Sequence, residues 1–389
     1  MKSSTLPADA LERVRREEFP VTGAKTWLNT ATYGPLPRSN VRAQTELLDG
    51  MMNGDGVKGV GHWWEGAAEV RSKVGRLVSC DPRDVALVRS TGEGLGFVSL
   101  GLDWAAGDEV VVYDQEFPSG VYPWLALEKR GVNVRFIEDR GRYRFEVEDV
   151  AALLSDRTRV VSMSLVNCYH GFRAPIEEVA KLCRSNGTWL LVDAVQAVGA
   201  LEVDVSSLGA DLVSAHGYKS LCAGYGIGFC YVSPQLRDVL DVAAPGWKSI
   251  EDAPLLEKQL HYNLRYASDA RRYEASVPNL AGMYGLGASI DLFINTGVQA
   301  INDWVLEISA AVTEALEASG YRVVSSTRDG ERSGIVSARV PDGDAARVCA
   351  ALAEQQVACA VRDGRLRVSC HLFNDQTDVE RLVRALPTS

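Results

Sequence analysis

Two residues in the middle of the chain have types and spacing that suit one piece of chemistry. Asp193 ends the apolar run Leu190-Leu191-Val192-Asp193, and Lys219 follows 26 positions later in His216-Gly217-Tyr218-Lys219. Between them lies a second acid-bearing apolar segment, Ala210-Asp211-Leu212-Val213; after the lysine come a glycine-rich turn and another apolar run. A carboxylate at a strand end can hold a protonated pyridine nitrogen, and a lysine in a loop can form an imine with an aldehyde. Pyridoxal phosphate presents both groups, so the pair points to its chemistry. The plainer reading of a lone lysine is a solvated surface charge, and the rest of the chain must decide between them.

The surrounding pattern supplies a frame for both residues. Residues 7–18 read as an amphipathic helix opening with Pro7, and residues 26–35 as a short strand entering a Gly-Pro turn, which is either punctuation or a substrate-facing loop. Helices are expected over 38–52 and 62–79. A strand over 84–89 runs into Ser90-Thr91-Gly92-Glu93-Gly94-Leu95-Gly96 and then a helical segment. That arrangement can present backbone N–H groups to a phosphate, or be a plain turn. It is not a dinucleotide fingerprint, because the position of the third glycine is Phe97. The strand 109–114 is followed by Phe117, which either packs on a ligand ring or fills the core. Strands over 132–137 and 159–166 flank a helix over 147–155. Beyond the second strand stands Asn167, whose amide serves either a ligand oxygen or its own loop, and a helix over 175–186 follows. Val/Leu-rich strands alternating with helices predict a mostly parallel sheet covered on both faces. Ligands of such sheets sit outside the carboxyl ends of the strands, where Gly92, Phe117, Asn167 and Asp193 all fall.

From about residue 243 to 257 the pattern breaks into a Pro/Gly-containing connector. Beyond it Ile301, Val305, Ile308, Val312 and Leu316 mark the stripe of a long helix. Strands over 321–326, 334–340, 357–362 and 365–370, with helices over 343–355 and 377–386, complete a small α+β domain. The expected division is an N-terminal segment 1–25 packing with the small domain, a large domain 26–257 and a small domain 258–389. A chain of 389 residues is long enough for two such cores. Its net charge of −10 disfavours a nucleic-acid or anionic-membrane partner, yet leaves room for a small anionic cofactor in a locally positive site. No run of roughly 18 apolar residues reads as a membrane span, and the first residues lack the apolar core of a signal peptide. Eight cysteines are scattered without a C-x-x-C pair, the pattern of reduced thiols in a cytoplasmic protein, and no metal site is expected.

The segment DAVQAVGALEVDVSSLGADLVSAHGYKSLCAGYGIGFCYV resembles the fold-type I, class V aminotransferase superfamily, which includes cysteine desulfurases, selenocysteine lyases, kynureninases and isopenicillin N epimerase-like enzymes. The pieces STGEG, QEFPSGVYPW, PGW, RRYEASVPN and RVSCHLFN follow in that family's order, so the likeness covers nearly the whole chain. It implies an α/β fold of type I with a large, mostly parallel-sheet domain and a small α+β C-terminal domain. It makes Lys219 the Schiff-base lysine and proton shuttle, and Asp193 the partner of the pyridine nitrogen. Gln196 would bond the phenolic oxygen, with Asn167 near the same edge. Phe117 would stack on the ring, where desulfurases carry a histidine and kynureninases a phenylalanine. Thr91, Gly92, His216 and Tyr218 would hold the phosphate, although His216 also reads as a satisfied loop histidine. In a homodimer, Gly246 and Trp247 would reach the phosphate site across the interface. Arg367 would grip the substrate's α-carboxylate, with Asn29 and Tyr33 lining the substrate pocket. Arg272 and Glu274 are expected to form an internal ion pair outside the site.

One departure bears on the reaction. Family desulfurases carry a nucleophilic cysteine in a loop after an R-x-G segment, but here Arg362-Asp363-Gly364 runs directly into Arg365-Leu366-Arg367. A persulfide-forming desulfurase is therefore disfavoured. The expected enzyme acts at the α-carbon of an amino acid through an external aldimine and a quinonoid, by β-elimination of a cysteine-derived substrate (the C–S lyase type). Decarboxylating oxidative deamination, transamination and epimerisation are the alternatives, as in natural-product or antibiotic tailoring. A catalytically silent scaffold is the non-enzyme alternative, against which the presence of both Asp193 and Lys219 speaks.

Overall fold

The computed structural model describes residues 8–54, 59–253, 262–341 and 343–387. Pro7, the end of the connector (254–257) and the expected domain boundary lie outside them. After a two-residue strand β1 (Thr26–Trp27) come β2 (Val85–Val88), β3 (Glu109–Tyr113), β4 (Asn133–Ile137), β5 (Thr158–Ser164), β6 (Trp189–Asp193), β7 (Leu212–His216) and β8 (Gly228–Val232). The last seven form one sheet in the order β2-β8-β7-β6-β5-β3-β4. Only β8 runs against its neighbours; the β3–β4, β3–β5, β5–β6 and β6–β7 pairs are parallel. The stretch 217–227 is too short for a parallel crossover, so the chain returns from β7 as a hairpin.

The period-2 alternation of these strands divides the core. Val161, Met163, Leu190, Val192 and Val213 face one cluster, shared with Met283, Leu286, Ile290 and Phe293 of the helix Leu280–Thr296. Val160, Leu191 and Leu212 face the other, shared with Leu95 and Val98 of the helix Thr91–Gly101. That helix can lie on β7 because position 94 is glycine: a Cβ there would sit 2.4 Å from Ser214 Oγ.

A second sheet of four antiparallel strands has the order β12-β13-β10-β9, with β9 (Arg322–Val323), β10 (Ile335–Arg339), β12 (Ala360–Arg362) and β13 (Arg365–Ser369). Val336, Ala338, Leu366 and Val368 pack on Ile308, Val312 and Leu316 of the helix Val298–Ala318. The opposite face of β13 carries Arg365, Arg367 and Ser369. Two expected strands come out shorter. The strand over 321–326 shrinks to β9, and the one over 357–362 splits at Cys359 into β11 (Val357–Ala358) and β12. The split has a tertiary cause, since β11 pairs in parallel with β1 whereas β12 pairs with β13. An isolated bridge from Asn29 to Ser369 continues the docking, laying residues 26–33 along the small sheet. Arg144, paired with Glu146 and Glu331, ties the two sheets' units together.

The expected Arg272–Glu274 ion pair does not form. Glu274 is buried and takes Arg71 Nη2 and Lys248 Nζ at 2.5 Å each, and it accepts the Leu87 backbone N–H at 2.9 Å. Arg272 turns away and donates to the carbonyls of Ala267 and Arg237. Lys248 is fully buried, its ammonium about 5 Å from the ring centroids of Trp63 and Trp64. Removing the one carboxylate leaves two buried cations facing each other. Glu274→Gln should therefore lower unfolding stability by about 3–5 kcal/mol in urea denaturation.

Candidate active site

Because β2, β3, β5, β6 and β7 run the same way, their carboxyl ends open on one edge of the sheet, and a cavity lies there. Its lining includes Thr91 and Gly92 from the first turn of the helix after β2, Phe117 and Ser119 after β3, and Ser164 at the end of β5. Asp193 and Gln196 come from the end of β6, and His216, Tyr218 and Lys219 from the end of β7. Eight of the residues expected from the sequence thus meet in one place.

Each side chain is held by its local structure. Asp193 is the last residue of β6 and accepts the Val195 N–H at 2.9 Å. Burial pushes its carboxyl up to about 6, with the Val195 N–H and Lys219 pulling the other way. Lys219 sits in the turn after β7, where Gly34 packs so closely that a Cβ would come within 2.2 Å of the Lys219 carbonyl oxygen. Its Nζ lies 5.3 Å from the Phe117 ring centroid and 5.9 Å from that of Tyr218. Burial lowers its pKa, and the Arg367 and Arg362 charges lower it further against the pull of Cys168 and Asp193.

His216 Nδ1 and Thr91 Oγ1 share a hydrogen bond of 2.9 Å, and the imidazole stacks on Tyr218 with centroids 4.0 Å apart. Burial, then the Lys219 charge, drives His216 down to about 3, so the ring is neutral. Its Nε2 is buried and has no hydrogen-bond partner among the described residues. An unpaired buried nitrogen beside a helix N-terminus, an acid and an amine is the donor set that a phosphorylated pyridine aldehyde requires. Thr91, Gly92, His216, Tyr218 and the Ser119 hydroxyl stand where they would hold the phosphate. Asp193 would take the ring nitrogen and Phe117 the ring face.

Two expected contacts, those of Asn167 and Tyr33, come out differently. Asn167 does not line the cavity: its Nδ2 donates to the Gln115 carbonyl at 2.7 Å, and its Oδ1 accepts the N–H groups of Tyr169 and His170. It clamps the β5 loop to the loop carrying Phe117. Gln196 lines the cavity, with Nε2 donating to the Ala31 carbonyl. Tyr33 packs on Trp27 rather than on the cavity. Gly246 and Trp247, expected to reach a partner subunit's phosphate site, lie off this chain's own cavity. Gly246 backs onto Ala275, and Trp247 meets Trp63 and Trp64 edge-on.

Arg367 is brought in from β13, buried, with Nη1 donating to the Cys168 carbonyl at 2.6 Å and Nη2 to Thr32 Oγ1 at 2.8 Å. Its Nε has no hydrogen-bond partner among the described residues. Thr32 Oγ1 in turn donates to Asn29 Oδ1 at 2.7 Å, so Asn29 orients the threonine that receives the arginine. Arg362, Thr32 and Ser119 were not among the site residues expected from the sequence. Arg362 Nη2 reaches the same Thr32 Oγ1 at 3.2 Å, which places two guanidiniums on one hydroxyl. Burial, then the Arg362 charge, lowers Arg367 to about 10. The R-x-G spacing was visible, but only the hairpin's docking onto residues 29–33 reveals this convergence.

A family model for class-V aminotransferases matches residues 42–385. The chain belongs to that family. It is a pyridoxal-phosphate-dependent enzyme. It is 28% identical to a probable cysteine desulfurase of Methanothermobacter thermautotrophicus over 96% of its own length and 97% of that protein. It is 26% identical to the uncharacterized aminotransferase YcbU of Bacillus subtilis, with 95% of each chain covered. The apo structure of the cysteine desulfurase from Thermococcus onnurineus NA1 superposes with a TM-score of 0.86 at 23% identity, covering 99% of this chain and 98% of that one. The cystine C–S lyase C-DES, solved with its reaction product cysteine persulfide, gives 0.85 at 24% identity, with 94% and 98% covered. At these identities the structural likeness establishes the fold of the class-V aminotransferases.

The raised pKa of Asp193 gives a test on the apoprotein. Its folded-state value lies above the ordinary 3.8, so the unfolding free energy contributed by this group falls as pH rises through about 6. Apo Asp193→Asn should be more stable than the apo wild type near pH 8, by on the order of 2 kcal/mol, and the difference should vanish as pH falls below the unfolded carboxylate's range. Thermal melts across pH measure this directly.

Proposed function

We propose that this class-V aminotransferase family member is a C–S lyase acting on a cysteine-derived amino acid by β-elimination. When bound, pyridoxal phosphate supplies an electron sink for the α-carbon. The chain's residues do the rest. Arg367 binds the α-carboxylate, for which its unpartnered Nε and buried fork are suited. Lys219 takes the α-proton; burial and two nearby guanidiniums favour its neutral, basic form. The Cβ–S bond then breaks, the sulfur leaves and takes up a proton to give the thiol, and the remaining aminoacrylate tautomerises to an imine that solvent water hydrolyses to pyruvate and ammonia.

The carrying observation is the hairpin between β12 and β13. Arg362 pairs with Arg365 across the two-residue turn Asp363–Gly364, both with positive φ, leaving no loop to carry a nucleophilic cysteine. Cys359 and Cys370 belong to the small unit's hydrophobic core, where burial raises their thiols. Cys168 does line the cavity, yet desolvation pushes it up to about 11, so it stays protonated near neutrality. Departure of the sulfur with the product is the outcome this arrangement favours. The Arg362–Arg367 pair further suits a substrate with two carboxylates, as in a disulfide or thioether of cysteine bearing a second acid. We assign residues 26–257 to the large domain and residues 258–389 to the small one, whose helix Leu280–Thr296 packs back on the large sheet, with residues 8–25 tied to the small domain through Arg15 and Asp375. The protein acts as a cytoplasmic homodimer in which Gly246 and Trp247 serve the partner's site.

Incubation with cystine and with S-alkyl cysteines, followed by mass analysis, tests the reading. Pyruvate with a thiol or persulfide is expected; solvent deuterium at Cα alone, or carbon dioxide with an aldehyde, would refute it. Arg362→Ala should raise KM for cystine by about tenfold while changing KM for a monocarboxylic S-alkyl cysteine less than threefold.

A further inference from the structure

Glu116 stands between β3 and Phe117, and neither the phosphate site nor the substrate site uses it. Its side chain is buried behind the cavity wall. One oxygen accepts the Ser164 backbone N–H at 2.7 Å and the other accepts the Ser164 hydroxyl in a short hydrogen bond. Ser164 ends β5, lines the cavity, and lies directly opposite Asp193 in the β5–β6 ladder. Glu116 also accepts the Phe117 N–H, at the start of the segment that brings the aromatic ring to the site. A single carboxylate therefore links the residue placed on the ring face, the strand end beside the acid, and the acid's own electrostatic surroundings.

Hydrogen bonding alone does not call for a carboxylate here, since a neutral amide oxygen would also accept from Ser164. A buried acid without a cation beside a second buried acid costs free energy on folding, and that expense calls for a role for its charge. No described lysine or arginine pairs with Glu116. The groups that feel it are Asp193 from β6, the Cys168 thiol beyond β5 and the Tyr113 phenol on its own strand. Burial, reinforced by Asp193, pushes Glu116 up to about 7 against its hydrogen bonds from Ser164 and Phe117. A positive charge placed at Asp193 would draw the pair back toward full ionisation.

We propose that Glu116 is a positioning residue of the pyridine-nitrogen site. Through Ser164 it seats the strand end beside Asp193, and its negative charge adds to the field that keeps the cofactor's ring nitrogen protonated. The inference rests on Asp193 being that nitrogen's partner.

The test compares two cofactors, pyridoxal phosphate and its analogue with carbon in place of the ring nitrogen, titrated into apoprotein and followed by absorbance and tryptophan fluorescence. Glu116→Gln keeps the volume and an acceptor for Ser164. Near pH 8 it should weaken pyridoxal phosphate binding by about tenfold and the analogue by less than twofold. Near pH 6, where the wild-type acid takes up its proton, the selective loss should shrink. Glu116→Asp should retain most of the selectivity. If Glu116→Gln does not fold, as judged by the apoprotein melt, Ser164→Ala is used, with a smaller but still selective loss expected. Equal weakening of both ligands, or none, overturns the proposal. Asp193→Asn is run alongside: if it too fails to discriminate the ligands, the assignment of Asp193 falls first, whereas discrimination by Asp193→Asn alone refutes only the role of Glu116.

Discussion

Two opposite charges buried at one sheet edge, near enough to feel each other but not closed into an ion pair, set the terms for the structure. Asp193 is pushed toward its neutral form by burial and so is Lys219, and each only partly relieves the other. Burying isolated charges is unfavourable, so the folded chain spends stability on keeping them apart. A ligand carrying a cationic ring nitrogen and an aldehyde would remove both tensions at once. On the proposed assignments, the cost of the apo site would become binding free energy for the cofactor.

The fold makes that separation possible. Parallel β5, β6 and β7 bring successive strand ends to one edge, and the hairpin return into β8 puts Lys219 in a turn pinned by Gly34 and Cys222 rather than on a strand. The small sheet then presents a polar face to the site. Its hydrophobic side packs on the helix Val298–Ala318, which frees the other side of β13 for Arg367. Residues 29–33 are caught between the two units, and Thr32 collects both guanidiniums.

Much of this was legible in the sequence because it is local. Val/Leu runs ending in a lone acid, and a glycine-bearing turn entering a helix, have one-dimensional signatures, and they located Asp193, Lys219, Thr91 and Gly92. What escaped notice depends on pairing between distant segments. Arg362 and Thr32 meet only because β1 and β11 pair in parallel across the chain. Asn167 looked like a ligand by its place after β5, but the tight turn to Gly171 uses both ends of its amide. Glu274 had an arginine two residues away, yet the short 3-10 turn aims Arg272 elsewhere, and partners from positions 71 and 248 took the carboxylate. A buried ion pair is selected by tertiary proximity, which sequence adjacency does not predict.

Borohydride reduction of the holoenzyme, followed by peptide mapping, tests the central assignment most directly. Reduction freezes the bond between cofactor and lysine. One pyridoxyl group per chain, on the peptide carrying Lys219 and absent from Lys219→Ala, is the predicted result. A pyridoxyl group on another lysine, or none in protein that has bound the cofactor, would contradict the account.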